Sequence, residues 1–248
     1  MELIPAIDIR GGRCVRLVQG DYDRETVFSD DPLAMARRWL AEGAARIHVV
    51  DLDAAKEGRP VNADVIARII AETGARIEVA GGPRSPEDFV RWADAGADRI
   101  VTGTLAVERP DVVEAVARRH PGKIAVAVDA RDGCVATRGW IETSEIPVAD
   151  FIRGMRARGI ERYIYTDISR DGTMQHPDFD TFARVLEDAG FAQDAEAPVV
   201  FGGGITSVED LEHLAREFSI EGVIIGRALY DGRIDLRSAI ERLQVGNT

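Results

Sequence analysis

Two aspartates in this chain stand where acid–base chemistry is possible. Asp8 closes the apolar run that begins at Leu3, and Asp129 follows a similar run, Lys123 to Val128, about half a chain later. Their surroundings match: Leu3 to Gly12 reads LIPAIDIRGG and Ile124 to Gly133 reads IAVAVDARDG. Two carboxylates on opposite sides of one ligand act as general base and general acid when their surroundings separate their pKa values. In the plainer reading each carboxylate caps a turn or a neighbouring helix. The chemical reading is preferred, because charged side chains buried by symmetry at the mouth of a fold have few structural reasons to be there.

A second repeated feature concerns anions. Val199 to Leu229 reads VVFGGGITSVEDLEHLAREFSIEGVIIGRAL, and Val79 to Ala106 reads VAGGPRSPEDFVRWADAGADRIVTGTLA. Gly82 matches Gly204, Ser85 matches Ser207, Glu87 and Asp88 match Glu209 and Asp210, and Gly103 matches Gly226. Glycines between a strand and a helix let backbone N–H groups approach an anion, and the helix N-terminus adds partial positive charge. Gly81, Gly82, Gly103 and Thr104 are therefore expected to form one phosphate site, and Gly203, Gly204, Gly226 and Arg227 another. VVDL at Val49 and YTDI at Tyr165 extend the repeat and pair Asp51 with Asp167. One phosphate site in each half implies a small-molecule ligand with a phosphate at both ends.

The elements that must position these residues alternate. Apolar strands are expected at Leu3–Asp8, Arg46–Asp51, Ile77–Ala80, Asp98–Thr102, Lys123–Val128, Tyr163–Asp167, Val199–Phe201 and Gly222–Ile225, with helices between them. Pro32 and Pro110 open helices, Asn62, Ser85 and Ser207 are placed to cap them, and Gly74 stops one. Gly20 to Asp30, Ala130 to Ile146 and Ser169 to Pro177 lack an apolar period and read as loops, and the polar stretch Gln193 to Ala197 leads into the seventh strand. Apolar rather than alternating strands specify a parallel sheet covered on both faces. The expected fold is a single-domain (β/α)8 TIM barrel built from two half-barrels, residues 1–122 and 123–248. Its glycine turns, aspartates and long loops all follow strands, the face where barrels carry chemistry.

Composition narrows the function further. A net charge of −12 argues against a nucleic-acid surface. No apolar run approaches the roughly 18 residues of a membrane span, so a cytoplasmic protein is expected. Cys14 and Cys134, in equivalent places of the repeat, are too few for a disulfide framework. His48, His120, His176 and His213 show no ligand spacing, so no metal is expected, and each reads as a packed or solvated side chain. The only two lysines, Lys123 at the start of a strand and Lys56 in a loop, are poorly placed for Schiff-base chemistry. Arg16, Arg84 and Arg138 are within reach of ligand anions, although a solvated surface role fits each as well. Trp140, in a polar loop with little core to join, is suited to stacking on a heteroaromatic group.

IPAIDIRGGRCVRLVQGDY at the start, VVDLDAAKEGRPVN at Val49, VATRGW at Val135, YTDISRDGTMQ at Tyr165 and GRALY at Gly226 together resemble the phosphoribosylformimino aminoimidazole carboxamide ribotide isomerases of histidine biosynthesis. The resemblance runs from Ile4 to about Tyr230. It implies an Amadori rearrangement of an aminoaldose to an aminoketose on a substrate with two phosphates, with no metal or organic cofactor. Carried over by motif, Asp8 is the base that removes the C2 proton of the ribose and Asp129 the acid that assists ring opening. Asp171 is a rival for the acid role, and Thr166 supports the substrate. A monomer is expected.

The sequence departs from that family's usual pattern at Ala80, Pro83, Phe201 and His176. The first three adjoin the glycine turns. The sister cyclase of the same pathway opens differently from AIDIRGG. Phosphoribosylanthranilate isomerase, a dual-substrate isomerase and a non-catalytic phosphometabolite-binding barrel are the remaining alternatives.

Overall fold

The computed structural model describes residues 1–191 and 196–245. Residues 193–195 of the expected polar stretch lie outside these. Eight parallel strands form a closed ring: β1 (Glu2–Arg10), β4 (Arg46–Asp51), β5 (Arg76–Ala80), β6 (Arg99–Thr102), β7 (Ile124–Arg131), β10 (Arg162–Asp167), β11 (Ala197–Gly202) and β12 (Ile220–Ile225). Closure is made by β10 pairing with β7 and β12 pairing with β1. The TIM barrel expected from the strand pattern is present, and β1 and β7 lie diametrically opposite in it, four strands apart in either direction.

Helices cover the ring. They are α1 (Pro32–Ala41), α2 (Leu52–Glu57), α3 (Ala63–Thr73), α4 (Pro86–Asp94), α5 (Thr104–Glu108), α6 (Pro110–Arg119), α7 (Val148–Ala157), α8 (Phe179–Asp188), α9 (Val208–Glu217), α10 (Arg227–Tyr230) and α11 (Leu236–Val245). The outward strand residues Ile7, Ile47, Ile77, Ile100, Val126, Tyr163, Val199 and Val223 are buried against helix residues such as Trp39, Ile66, Phe89 and Leu211. Inside the ring a smaller cluster, Ile4, Ala80, Val101, Ala125, Ile164 and Val200, fills the middle of the barrel. No helix among the described residues is long and apolar enough to cross a membrane.

Several sequence expectations need correction. Gly20 to Asp30 is not a loop: Asp21–Ser29 forms β3, antiparallel to β2 (Arg13–Val18), which itself pairs antiparallel with β1. Ala130 to Ile146 likewise contains β8 (Cys134–Thr137) and β9 (Glu142–Pro147), paired antiparallel beside β7. β3 and β9 are exposed along most of their length, so neither shows the apolar alternation by which a half-buried strand is recognised. Because β1 and β7 run on into these ribbons, Asp8 and Asp129 lie within their strands rather than at the ends.

Lys56 sits in α2, not in a loop. Asn62 precedes α3 but does not cap it; its side chain bonds Asp51 and Asp53 instead. The short helices α2, α5 and α10 bring the helix count above the expected eight among the described residues. The cysteines are not spatially equivalent, since Cys14 faces Ile9 while Cys134 faces Arg131, one step further along its strand. That slip turns the side chain to the other face: Cys14 is buried, its thiol pushed up to about 12 by desolvation, and Cys134 is half-buried.

Candidate active site

At the C-terminal mouth of the barrel lies a cavity of about 220 Å³, lined by Asp8, Asp129 and Asp171 with the glycines of both repeats. The expected site residues Arg16, Gly81, Gly82, Arg84, Gly103, Thr104, Trp140, Thr166, Gly203, Gly204, Gly226 and Arg227 line the same space.

The two glycine cradles share one construction. Gly81 (φ 93°) and Gly82 (φ 97°) follow β5, and Gly203 (φ 88°) and Gly204 (φ 81°) follow β11, all in the left-handed region that a side chain disfavours. A methyl group at Gly81 would run into the backbone of Asp51, and one at Gly203 would sit 2.5 Å from the Asp167 carbonyl. Beyond each cradle a helix starts with a capping box, Ser85 with Asp88 and Ser207 with Asp210. Gly103 and Gly226 precede α5 and α10, so their free N–H groups add to the same anion-attracting corners. Asp51, though matched to Asp167 in sequence, is spent on structure: its carboxylate accepts from the backbone N–H groups of Ala54, Val61 and Asn62 and from the Asn62 amide.

The three carboxylates of the cavity have different surroundings. Asp8 accepts from Arg16 Nη1 at 2.6 Å. Arg16 also donates to the Ala6 carbonyl and lies 5.3 Å from the centre of the Tyr230 ring, whose hydroxyl donates to that same carbonyl. Burial works against the Arg16 charge, but Asp8, Tyr230 and Asp171 outweigh it and hold the guanidinium above its ordinary range. Among the described residues no cation is bonded to Asp129. Desolvation raises its carboxyl above the ordinary value, opposed by the Trp140 and Thr166 side chains and by the nearby His48. Asp171 is raised from 3.8 to about 6 by burial, with Asp8, Asp129 and Asp167 adding to the rise and Arg16 opposing it.

Loops close over these groups. Gln19 N–H donates to the Asp171 carbonyl and the Gln19 amide to that of Ser169, tying the β2–β3 turn to the loop after β10. Trp140 (φ 69°) ends a run of left-handed residues with Arg138 and Gly139, and its ring packs where a side chain at Gly20 would be. The Arg138 backbone N–H donates to Thr104 Oγ1 at 2.8 Å, while its guanidinium pairs with Glu108 and Glu142 in solvent. Arg84 bonds the Ala55 carbonyl and is held below its ordinary range by burial and by Arg138, against the pull of Glu108. Its positive charge is thus only partly compensated, as an anion site requires. His176, one of the unusual residues, bonds Asp210 at 2.8 Å and so braces the second capping box.

Sequence reasoning passed over two groups. His48 was expected as a packed or solvated side chain; it is packed, yet it also lines the cavity floor. Glu78, wholly buried, bonds its Nδ1 at 2.7 Å. The signal was available in the two-residue period of β4 and β5, which puts Arg46, His48 and Val50 on one face and Glu78 and Ala80 on the same face of the next strand. Tyr22 was missed because the strand carrying it read as a loop; its hydroxyl donates to the Leu52 carbonyl at the cavity rim.

Comparison with known proteins agrees with this geometry. A family model described as "Histidine biosynthesis protein" matches residues 2–235. A protein of a Cyanothece species is 46% identical over 248 residues, covering 99% of this chain and 94% of that protein. One of a Synechocystis species is 46% identical over 249 residues, covering 100% and 94%. One of Dehalococcoides mccartyi is 44% identical over 243 residues, covering 98% and 100%. All three are named 1-(5-phosphoribosyl)-5-((5-phosphoribosylamino)methylideneamino)imidazole-4-carboxamide isomerase. With nearly the whole barrel matched at this identity, the chain belongs to the histidine biosynthesis protein family.

Proposed function

We propose that this protein is the aldose–ketose isomerase for which its relatives are named, acting on a small molecule with a phosphoribosyl group at each end. The observation that carries the reading is the placement of Asp8 and Asp129 on diametrically opposite strands, with one glycine cradle between them on each side of the ring. One phosphate is held at Gly81, Gly82 and Gly103, supported by Arg84 and Thr104, and the other at Gly203, Gly204 and Gly226, supported by Arg227. Helix N-termini and backbone amides provide that attraction in a protein whose net charge is −12. The equal construction of the two cradles supports reading residues 1–122 and 123–248 as duplicated half-barrels. On this reading the protein is a monomer of the cytoplasm.

The reaction needs an acid and a base. A protonated carboxyl, Asp129 or Asp171, gives its proton to the ribose ring oxygen as the C1–O bond breaks, and the C1–N bond becomes an iminium. That cation makes the C2 proton acidic, and Asp8, paired with Arg16, removes it. The electrons of the C2–H bond form the C1–C2 double bond of an enolamine, which takes a proton at C1 as the C2 hydroxyl becomes the ketone. Desolvation raises both Asp129 and Asp171, so both are suited to hold the first proton. Thr166, opposite Asp129 in the register of β10 with β7, supports the substrate, and Trp140 stacks on the imidazole.

Incubating the purified protein with the aminoaldose and following ketose formation by absorbance tests the proposal, with Asp8→Asn and phosphoribosylanthranilate in parallel. Turnover by the wild type and none by the variant supports it, and the anthranilate lane decides between single and dual specificity. Tight binding of the aminoaldose without turnover overturns it in favour of a binding barrel.

A further inference from the structure

The interior of the barrel below the cavity carries charges that the reaction scheme above does not use. Glu78 is fully buried on β5 and accepts from His48 Nδ1 at 2.7 Å. Its second oxygen has no hydrogen-bond partner and lies 3.5 Å from Arg99 Nη1, itself without one. Arg99 pairs with Glu221, and Glu221 with Arg162 at 2.8 Å, so the chain of charges ends at the far face of the barrel. Burial works against the Glu78 carboxylate, yet the His48 hydrogen bond, His48, Arg99 and Arg46 hold it below the ordinary range. Placing an ionised carboxylate inside a barrel is costly, and an apolar side chain of similar volume would fill that space with less strain. The one member of this network that reaches the cavity is His48, which lines it together with Asp129.

We propose that Glu78 is a positioning residue for the isomerisation, holding the His48 ring by Nδ1 so that Nε2 faces the cavity beside Asp129. A carboxylate bonded to one imidazole nitrogen fixes both the tautomer and the ring plane, leaving the other nitrogen with a defined role. Glu78 thereby acts on Asp129 through His48 without touching substrate. The charged groups facing the pair are Arg46 on its own strand's neighbour β4, Arg99 on β6, Glu221 on β12, and Asp8 and Asp129 at the mouth. The inference rests on the proposed isomerase activity.

The test compares wild type, Glu78→Gln, His48→Ala and the double variant by kcat, KM and the pH profile of kcat/KM, with thermal unfolding as a check on folding. Wild-type turnover is measured first, and its failure would count against the isomerase reading alone. The Glu78→Gln variant keeps an acceptor for Nδ1 but not the charge. It is expected to lower kcat about tenfold with KM changed less than twofold, the lower end of what losing an orienting partner costs. The limb of the profile governed by Asp129 should move to higher pH, because a ring no longer held by a carboxylate opposes the Asp129 rise less. In the His48→Ala background the same substitution should cost nothing further. An unchanged kcat and profile in folded Glu78→Gln, or an equal loss in the His48→Ala background, would overturn the proposal. A readout independent of any folded Glu78 variant is the nitrogen NMR spectrum of histidine-labelled wild type, with the His48 resonances assigned by their loss from His48→Ala. Nδ1 of His48 is expected to carry a proton across the neutral range, and an unprotonated Nδ1 there would also overturn it.

Discussion

Asp171→Asn should make the protein more stable and less active, and the stability gain should depend on pH in a defined way. The Asp171 carboxyl is raised from 3.8 to about 6, chiefly by burial. Its backbone is bonded to Asp167 and Gln19, but among the described residues no hydrogen bond reaches its side chain, so the amide replaces it without breaking one. A folded-state pKa above the unfolded value means that the native protein binds more protons between pH 4 and 6. Stability therefore falls as pH rises through that window and is level above it. Each tenfold change in proton affinity is about 1.4 kcal/mol, so the ionised carboxylate costs the fold about 3 kcal/mol at most above pH 7. The side chain is partly exposed at the cavity wall, and screening there reduces the expected gain to ~1–2 kcal/mol. Urea unfolding at pH 8 and at pH 4.5 measures it: the midpoint of Asp171→Asn should exceed that of wild type at pH 8 with unchanged slope, and the gap should shrink at the lower pH. A variant less stable at pH 8, or stabilised equally at both, would refute the argument that desolvated charge is stored at this position. If Asp171 supplies the ring-opening proton, the same variant loses the descending limb of the pH–rate profile near 6.

Three further outcomes follow from the site. Asp8→Asn should retain the substrate with near wild-type affinity while kcat falls by ~10³-fold or more, as removal of an essential base does, measured by single-turnover kinetics and calorimetry. Gly203→Ala places a methyl 2.5 Å from the Asp167 carbonyl at φ 88°, so the second cradle must open; KM for the bisphosphate should rise at least ~tenfold while binding of inorganic phosphate at the first cradle persists. Asp51→Ala strips the partner from four donors in α2 and the loop before α3 and should cost ~3 kcal/mol or more of stability by urea unfolding.

What the sequence made legible depended on burial on both faces. The parallel strands read correctly because outward residues such as Ile47 and Ile77 and inward ones such as Val101 and Ile164 are both apolar. The glycine cradles read correctly because left-handed backbone next to another chain segment admits little else. β3 and β9 did not, since a ribbon standing out from the barrel buries neither face and leaves no period. The Glu78–His48 pair escaped for the opposite reason. Strands apolar on both faces show no alternation to mark an inner wall, whereas the two-residue period of β4 and β5 puts Arg46, His48 and Glu78 on it. Asp171 carried no sequence signal beyond its motif, because its raised pKa comes from burial and from Asp8, Asp129 and Asp167 on three separate strands.

A nearly symmetric barrel can run an asymmetric reaction when matching positions carry different neighbours. Asp8 and Asp129 hold equivalent strand positions, and the registers of β1 with β2 and of β7 with β8 set Arg16 opposite the same step as Thr137. One half thus bonds its carboxylate to a guanidinium at 2.6 Å, and the other offers a neutral hydroxyl side chain at the matching place. Burial instead raises the Asp129 carboxyl, with the Trp140 and Thr166 side chains and His48 opposing the rise. An ion-paired carboxylate and a desolvated one, facing each other across a ligand held at both ends, are the two forms that a base and an acid require. Exchanging the surroundings therefore bears on roles more directly than exchanging the aspartates. Arg16→Thr should lower kcat more than it raises KM, because Asp8 loses the guanidinium that holds its carboxylate at 2.6 Å, while leaving the descending limb of the pH profile where Asp129 and Asp171 put it. A raised KM with kcat unchanged would show that Arg16 serves the ligand alone and that the division of labour lies elsewhere.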